Sequence, residues 1–367
     1  MADLSQPDPV LEGLAERVRD AAARQAPLDI RGGGTKAWYG EAPRGEPLDM
    51  TVLAGISSYE PSELVVTVRA GTPLADLEAV LAEKGQCLPF EPPRFASGGT
   101  VGGMVAAGLA GPARAAVAGV RDYVLGCTAM NGRAEVMSFG GQVMKNVAGY
   151  DVSRLMAGSM GVLGLICEVS LKVMPQPPAT ATLRFELDEA AALKKLNEWG
   201  GQPLPLSASA WWEGTLVLRL AGAAAAVQSA QHALGGEVVD AGLAGAFWTG
   251  LRDHTDEFFA GAAKAVEAGA TLWRLSVPQT APPLKLSGEQ LVEWGGAQRW
   301  LCTSAAAPTV RDAAATAGGH ATMFRSREKS AGAFAPLTPP LDRIHRQMKA
   351  AFDPAGIFNP GRLYPGL

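Results

Sequence analysis

The chain has 367 residues, 47% of them apolar, with a formal net charge of −4 and an isoelectric point near 5.7. The length exceeds one ordinary domain and the apolar share is enough for packed cores, so a soluble globular protein of two domains is expected. No basic field exists for a phosphate backbone, which argues against nucleic acid as a partner.

The N-terminal MADLSQPDPV has neither a basic nor an apolar leader region, and no stretch approaches about 18 uninterrupted apolar residues. A cytoplasmic protein without a transmembrane segment is expected, with peripheral association at an inner membrane left open. Cys87, Cys127, Cys167 and Cys302 stand far apart with no CxxC. Buried structural thiols are expected, not an iron–sulfur or zinc site. His232, His254, His320 and His345 form no HxxxH or HExxH, so no metal site is expected.

In chain order, residues 9 to 25 read as a helix with Leu11, Leu14 and Val18 on one side, stopped by Pro27. A short strand, Leu28 to Arg31, runs into Gly32-Gly33-Gly34-Thr35-Lys36. Consecutive glycines after a strand let N–H groups converge into an anion nest, with the Thr35 hydroxyl adding a donor and Lys36 or Arg31 a charge. A flexible turn is the alternative. Glu63 to Ala70 reads as a buried β-branched strand. A helix follows with Thr72 as N-cap, Pro73 in its first turn, and Leu74, Leu77, Val80 and Leu81 as its apolar stripe. Gln86 to Phe90 reads as a short strand.

The second glycine loop is Ser97-Gly98-Gly99-Thr100-Val101-Gly102-Gly103 and the third is Gly119-Val120-Arg121-Asp122-Tyr123. Val124 to Met130 and Glu135 to Phe139 flank Asn131-Gly132, a hairpin signal. Residues 139 to 174 hold the pair Gly140-Gly141, the turn Lys145 to Asp151, the loop Gly158-Ser159-Met160-Gly161-Val162-Leu163-Gly164, and a final β-rich run. In that run Leu165, Cys167, Val169, Leu171 and Val173 read as one face and Ile166 with Met174 as the other. Four glycine-bearing loops, each feeding or leaving a strand, make one ligand cradle a better account than four unrelated turns.

At Pro175-Gln176-Pro177-Pro178 the character changes. Strand (183–187), helix (Asp188 cap, to Trp199), strand (207–212), strand (215–220), helix (223–234) and strand (237–240) follow the split βαβ pattern of an antiparallel sheet with helices on one face. A helix over 244–260 and strands at 272–277, 299–303 and 320–324 complete a second α+β domain. The chain ends on a helix over 341–352 and a rigid turn, Gly356 to Arg362, expected to dock on the first domain.

These motifs together carry a family resemblance: RGGGT after a strand, GGTVGG, RDxVLG before a hairpin, KNVAGYD with GSMGVLG, and FDPAGIFNPGR at the end. The chain resembles the vanillyl-alcohol oxidase (PCMH-type) flavin-binding family and, within it, the FAD-binding E subunits of bacterial glycolate oxidases. The resemblance implies an α+β fold, with a PCMH-type FAD-binding domain of two α+β subdomains (residues 1–175). A small antiparallel-sheet cap (176–325) and a C-terminal helix and turn returning to the FAD domain (326–367) complete it. It implies noncovalent FAD, with Arg31, Gly32, Gly33, Gly34, Thr35 and Lys36 at the pyrophosphate. Gly98, Gly99, Thr100, Val101, Gly102 and Gly103 would touch pyrophosphate and ribose. Asp122, Gly158, Ser159, Gly161, Gly164 and Ile166 would border adenine, ribitol or ring. No histidine stands in either glycine loop, so a histidyl flavin is not expected.

The same resemblance implies oxidation of glycolate to glyoxylate within a complex, with a sister FAD-linked subunit and an iron–sulfur subunit as partners and a small 2-hydroxy acid as substrate. The chain departs from catalytic relatives that read GSEGTLG: it has Met160 and Val162, and it lacks their histidine pair and metal-binding glutamate. The alternative is therefore a structural or electron-relay subunit whose sister flavoprotein does the chemistry. A reductase of the cell-wall enolpyruvyl type is a third reading, marked by flavin reduction by NADPH. Arg325 or Arg327 as carboxylate clamp and His345 or Tyr150 as base are conceivable, and no catalytic residue is assigned.

Overall fold

The computed structural model of the chain describes residues 8–141 and 151–367. The first helix, Pro9–Arg24, begins where the sequence signals it. Asp8 accepts the N–H of Val10 at 2.9 Å, and Pro9 occupies a position whose N–H needs no partner. Its buried Leu14, Val18 and Ala21 pack on Leu28, Leu48 and Leu53. Those residues belong to or follow a parallel pair, Leu28–Arg31 with Glu46–Asp49, and Leu28 also bridges Phe358 from the end of the chain.

The second layer is a five-stranded antiparallel sheet in the order Ile56–Glu60, Val65–Arg69, Leu165–Lys172, Val124–Met130, Val136–Gly140. The expected hairpin is present as the last two strands. Asn131 closes it by accepting the N–H groups of Arg133 and Glu135 at 2.9 and 3.0 Å. The expected single alternation along Leu165 to Val173 does not hold. Thr128 pairs with Glu168 but Ala129 pairs with Ile166, so Cys167 is an extra residue and the parity of the strand flips there. Ile166 therefore joins Val169 and Leu171 in one core, while Leu165 and Cys167 join Met130 against the first helix.

Two further local expectations are corrected. Thr72 does not cap the helix Leu74–Glu83; Pro73 stands at that position, and the Thr72 hydroxyl accepts the N–H of Gly55 at 2.9 Å. The expected strand from Gln86 to Phe90 is reduced to Gln86–Cys87, which pairs with Met174–Pro175. The second glycine loop turns directly into a helix, Val101–Ala107, whose N-cap Thr100 accepts the N–H of Gly103 at 3.2 Å.

The cap is one eight-stranded antiparallel sheet made of two similar halves. In the first half, Ala179–Glu186, Leu206–Trp212, Thr215–Gly222 and Glu237–Val238 take the spatial order fourth, first, third, second. In the second, Thr271–Ser276, Glu289–Glu293, Gln298–Thr303 and His320–Arg325 take the mirrored order, and the two second strands join the halves. The strand Glu289–Glu293 and the helix Ala307–Thr316 are absent from the sequence expectation. The helix expected over 244–260 divides into Ala241–Asp253 and Glu257–Glu267. His254 at φ 58 ends the first, and Asp256 caps the second by accepting the N–H of Phe259 at 3.0 Å. The cap meets the first domain through aromatic rings: Trp38 and Phe95 both lie edge-on to Phe324, with centroids 5.1 and 6.3 Å away. No helix among the described residues is long and apolar enough to cross a membrane.

Candidate functional site

Three of the four glycine loops, Gly32 to Lys36, Ser97 to Gly103 and Gly158 to Gly164, come to one place, and Gly119 to Tyr123 does not line it. The loop after Leu28–Arg31 lies directly on the loop before Val101–Ala107. A Cβ on Gly32 would fall 2.1 Å from the Thr100 hydroxyl oxygen, and one on Gly33 would fall 1.7 Å from the Gly98 carbonyl oxygen. The glycines are thus required first by loop-on-loop packing. Gly34 and Gly98 answer to a different need. They have φ of +69 and +83, and a Cβ on either would meet nothing within 4 Å.

Beside these loops is a cavity of about 220 Å³. Arg31, Gly32, Gly33, Gly34, Thr35 and Lys36 line it from one side, with Thr100, Gly102 and Gly103 beside them. Gly161, Gly164 and Ile166 line it from the loop Gly158 to Gly164 and the central strand, and Ala70, Ala106 and Ala107 make an apolar wall. Ile166 reaches this wall because of the bulge at Cys167.

The polar end of the cavity is short of acceptors. Among the described residues, the N–H groups of Gly32, Gly33, Gly34, Thr35 and Lys36 have no hydrogen-bond partner, nor do those of Gly98 and Gly99. Arg31 is engaged by the Asp29 carboxylate, so it adds little net charge. Lys36 has no carboxylate partner among the described residues; its ammonium lies 3.3 Å from the Thr35 hydroxyl and close to where a Gly99 Cβ would stand. Desolvation pushes its pKa down to about 8. Unpaired backbone donors around a desolvated ammonium are equipped for a diphosphate, and the flat alanine and isoleucine wall is equipped for an aromatic ring system. By those features the residues fit an FAD.

The C-terminal turn completes the cavity, which the sequence reading did not foresee at residue level. Asn359 lines it, accepting the N–H of Ile30 at 2.7 Å through Oδ1 and donating from Nδ2 to the Met160 carbonyl at 2.7 Å. Arg362, also in the lining, donates to the carbonyls of Ala37 at 2.8 Å, Lys36 at 3.3 Å and Glu41. The signal available in the sequence was the conjunction of Asn, Pro, Gly and Arg in a terminal turn that could not fray.

The remaining expected residues fall outside the lining. Gly98 and Gly99 stand behind the first loop, and Val101 is wholly buried in the core. Asp122 accepts the N–H of Gly119 at 3.0 Å and caps the short helix Val120–Tyr123. Gly158 packs on Gly108, where a Cβ would lie 3.0 Å from the Gly158 backbone. Ser159 is buried, and its hydroxyl has no partner among the described residues. Tyr150 and the turn from Lys145 lie outside the described residues. Arg325 stacks 3.9 Å from the Trp38 ring centroid, which joins it to the first glycine loop through the Trp38 indole bond to the Thr35 carbonyl. Arg327 donates to Glu267 and His345 faces Leu341, both through backbone carbonyls.

Comparison with known proteins agrees with this geometry. A family model described as an FAD binding domain matches residues 11–140. Glycolate oxidase subunit GlcE of Escherichia coli (strain K12) is 46% identical over 356 residues, covering 97% of this chain and 98% of that protein. Glycolate oxidase subunit GlcD of Bacillus subtilis (strain 168) is 30% identical over 200 residues, 51% of this chain and 42% of that protein. Among solved structures, alkyldihydroxyacetonephosphate synthase superposes with a TM-score of 0.65 over 95% of this chain and 74% of its own, at 13% identity, a likeness of fold alone.

Proposed function

The chain belongs to the family of glycolate oxidase GlcE subunits, FAD-linked oxidoreductase subunits, and from that premise we propose how it works. It holds FAD noncovalently across the glycine loops, within a complex that includes a GlcD-type flavoprotein and oxidises glycolate to glyoxylate. The observation that carries the reading is the row of unpartnered N–H groups around Lys36, donors and a charge of the kind a diphosphate takes. The bound flavin would supply the hydride acceptor and pass electrons onward to an iron–sulfur subunit.

The chain's own residues bind and orient. The loop Gly32 to Lys36 and the loop Gly98 to Gly103 take the diphosphate, with Lys36 as its counter-charge. Gly161, Gly164 and Ile166 border the rings, and glycines there let backbone approach closely. Val101 anchors the second loop in the core and Gly158 packs against Gly108, while Asp122 and Ser159 are proposed to lie near the rings. The division into residues 1–175, 176–325 and 326–367 belongs to the same proposal, and so does a peripheral place at an inner membrane.

A second reading, an electron-relay or structural subunit, is favoured by one feature. In the loop Gly158 to Gly164 the side chain is the apolar Met160, buried in the cavity wall, where the GSEGTLG pattern of catalytic relatives has an acidic group. Anaerobic addition of glycolate to the purified chain separates the two. Loss of the visible flavin band in the isolated chain supports turnover here. Bleaching that occurs only with the sister flavoprotein present supports the relay. A chain that takes up no FAD overturns the first reading and the relay, and leaves a structural subunit.

A further inference from the structure

We infer that Asn359 is a positioning residue for the cofactor, so that docking of the C-terminal turn and binding of FAD are one coupled event. The inference rests on the flavin reading and goes beyond it, because Asn359 stands at the far end of the chain from every glycine loop.

Asn359 is 6% exposed and has a left-handed φ of 41, a conformation that asparagine adopts more readily than most residues. Its amide is used on both sides. Oδ1 accepts the N–H of Ile30, which fixes the strand feeding the triple-glycine loop. Nδ2 donates to the Met160 carbonyl, which fixes one face of the Met160–Gly161 peptide. That peptide is trans, so its N–H points away from its carbonyl. The Gly161 N–H is therefore aimed away from Asn359, has no partner among the described residues, and belongs to a residue lining the cavity. Gly161 has no room for a side chain, since a Cβ would stand 2.7 Å from Asn359 Nδ2. Arg362, in the same turn, grips the exit of the first loop at Lys36 and Ala37. One turn thus sets the separation of the two cavity walls. A ligand that spans both walls binds more tightly when the turn is docked, and by linkage the turn is more firmly docked when the ligand is bound.

The first test needs no variant. Hydrogen exchange of the full-length chain is measured with and without saturating FAD. The expected result is slower exchange over residues 355–362 in the loaded protein, while the distant cap helix Glu189–Gly200 is unchanged. Equal exchange over 355–362 in the two forms overturns the inference. The second test compares FAD release, followed by flavin fluorescence, in Asn359→Ala, Asn359→Asp and Leu196→Ala. Asn359→Asp keeps the acceptor for Ile30 but loses the donor to Met160. Both Asn359 variants are expected to release FAD about tenfold or more faster, consistent with loss of a buried hydrogen bond. Leu196→Ala, in the cap core, is expected to lower the melting temperature without changing release. Release from Asn359→Asp at the wild-type rate overturns the inference. A chain that binds no FAD at all overturns the flavin reading, and this inference with it.

Discussion

The carbonyl oxygen of Gly98 stands where a side chain on Gly33 would have to be: a Cβ there would lie 1.7 Å from it. Two loops far apart in sequence therefore touch backbone to backbone, and the shape of the cavity depends on that contact. Gly33→Ala is expected to force the loops apart and abolish flavin retention, read as the flavin absorbance of the purified protein. Gly34→Ala meets nothing within 4 Å but must adopt φ of +69, so it is expected to cost about 1–2 kcal/mol of stability and to retain more flavin.

Lys36 makes the cofactor affinity depend on pH in a stated direction. Burial lowers its pKa from 10.5 to about 8, so between about 8 and 10.5 the unfolded chain holds a proton that the folded chain without ligand does not. Stability of that form should rise with pH through this window, and FAD affinity should fall over the same range as the ammonium loses its charge. Lys36→Met is expected to weaken FAD by about 1.5–3 kcal/mol at neutral pH and to remove the pH dependence, measured by fluorescence titration. An affinity for FAD that is level from neutral pH to pH 10 would contradict the role given to Lys36.

Beneath the C-terminal turn, Lys349 and Asp353 form a buried pair 2.7 Å apart. The ammonium also donates to the carbonyls of Val162 at 2.8 Å and Phe358 at 2.6 Å, which ties the helix Pro339–Phe352 to the loop Gly158 to Gly164. Removing the cation strands a carboxylate that is 1% exposed. Lys349→Met is expected to destabilise by about 3–5 kcal/mol, less whatever the Ile357 and Phe358 N–H groups recover, as read from urea unfolding. A midpoint equal to wild type would remove the lock.

Glu293 predicts a slope of stability with pH. Desolvation raises its carboxyl to about 7, against hydrogen bonds from the Trp300 indole at 2.6 Å and from Gln298 at 2.9 Å that pull the other way. A raised pKa means the folded state holds the proton more tightly. Its contribution is therefore complete below about 4.5 and is lost as pH rises through about 7. Asp256, raised to about 6 mainly by burial, adds in the same direction. Glu293→Gln is expected to flatten the fall in urea midpoint between pH 5 and 8.

Much of the fold was legible because its signals are local. Asp188 before Glu189 accepts the N–H of Ala191 in the first turn of its helix, as an acidic cap should. The hairpin at Asn131 was readable from one dipeptide. The misses have physical causes. Glu289–Glu293 carries charges that hide a strand, and Glu293 is 3% exposed only because Trp300 and Gln298 meet its carboxylate. The face of Ile166 depended on a bulge set by its partner strand, which no periodicity within residues 165–173 encodes.

The amino-acid order alone determined which segments could approach a ligand by backbone, because glycine is needed wherever a Cβ would collide, and it placed those segments before or after expected strands. It also carried the family likeness through motifs of fixed spacing. Only the tertiary structure decided that Gly33 lies against Gly98 and that Asn359 closes the cavity, because contacts between distant segments are set by packing. The same holds for charge: Arg31 is neutralised by Asp29 while Lys36 is left without a carboxylate among the described residues, a distinction that burial and neighbours make and composition does not.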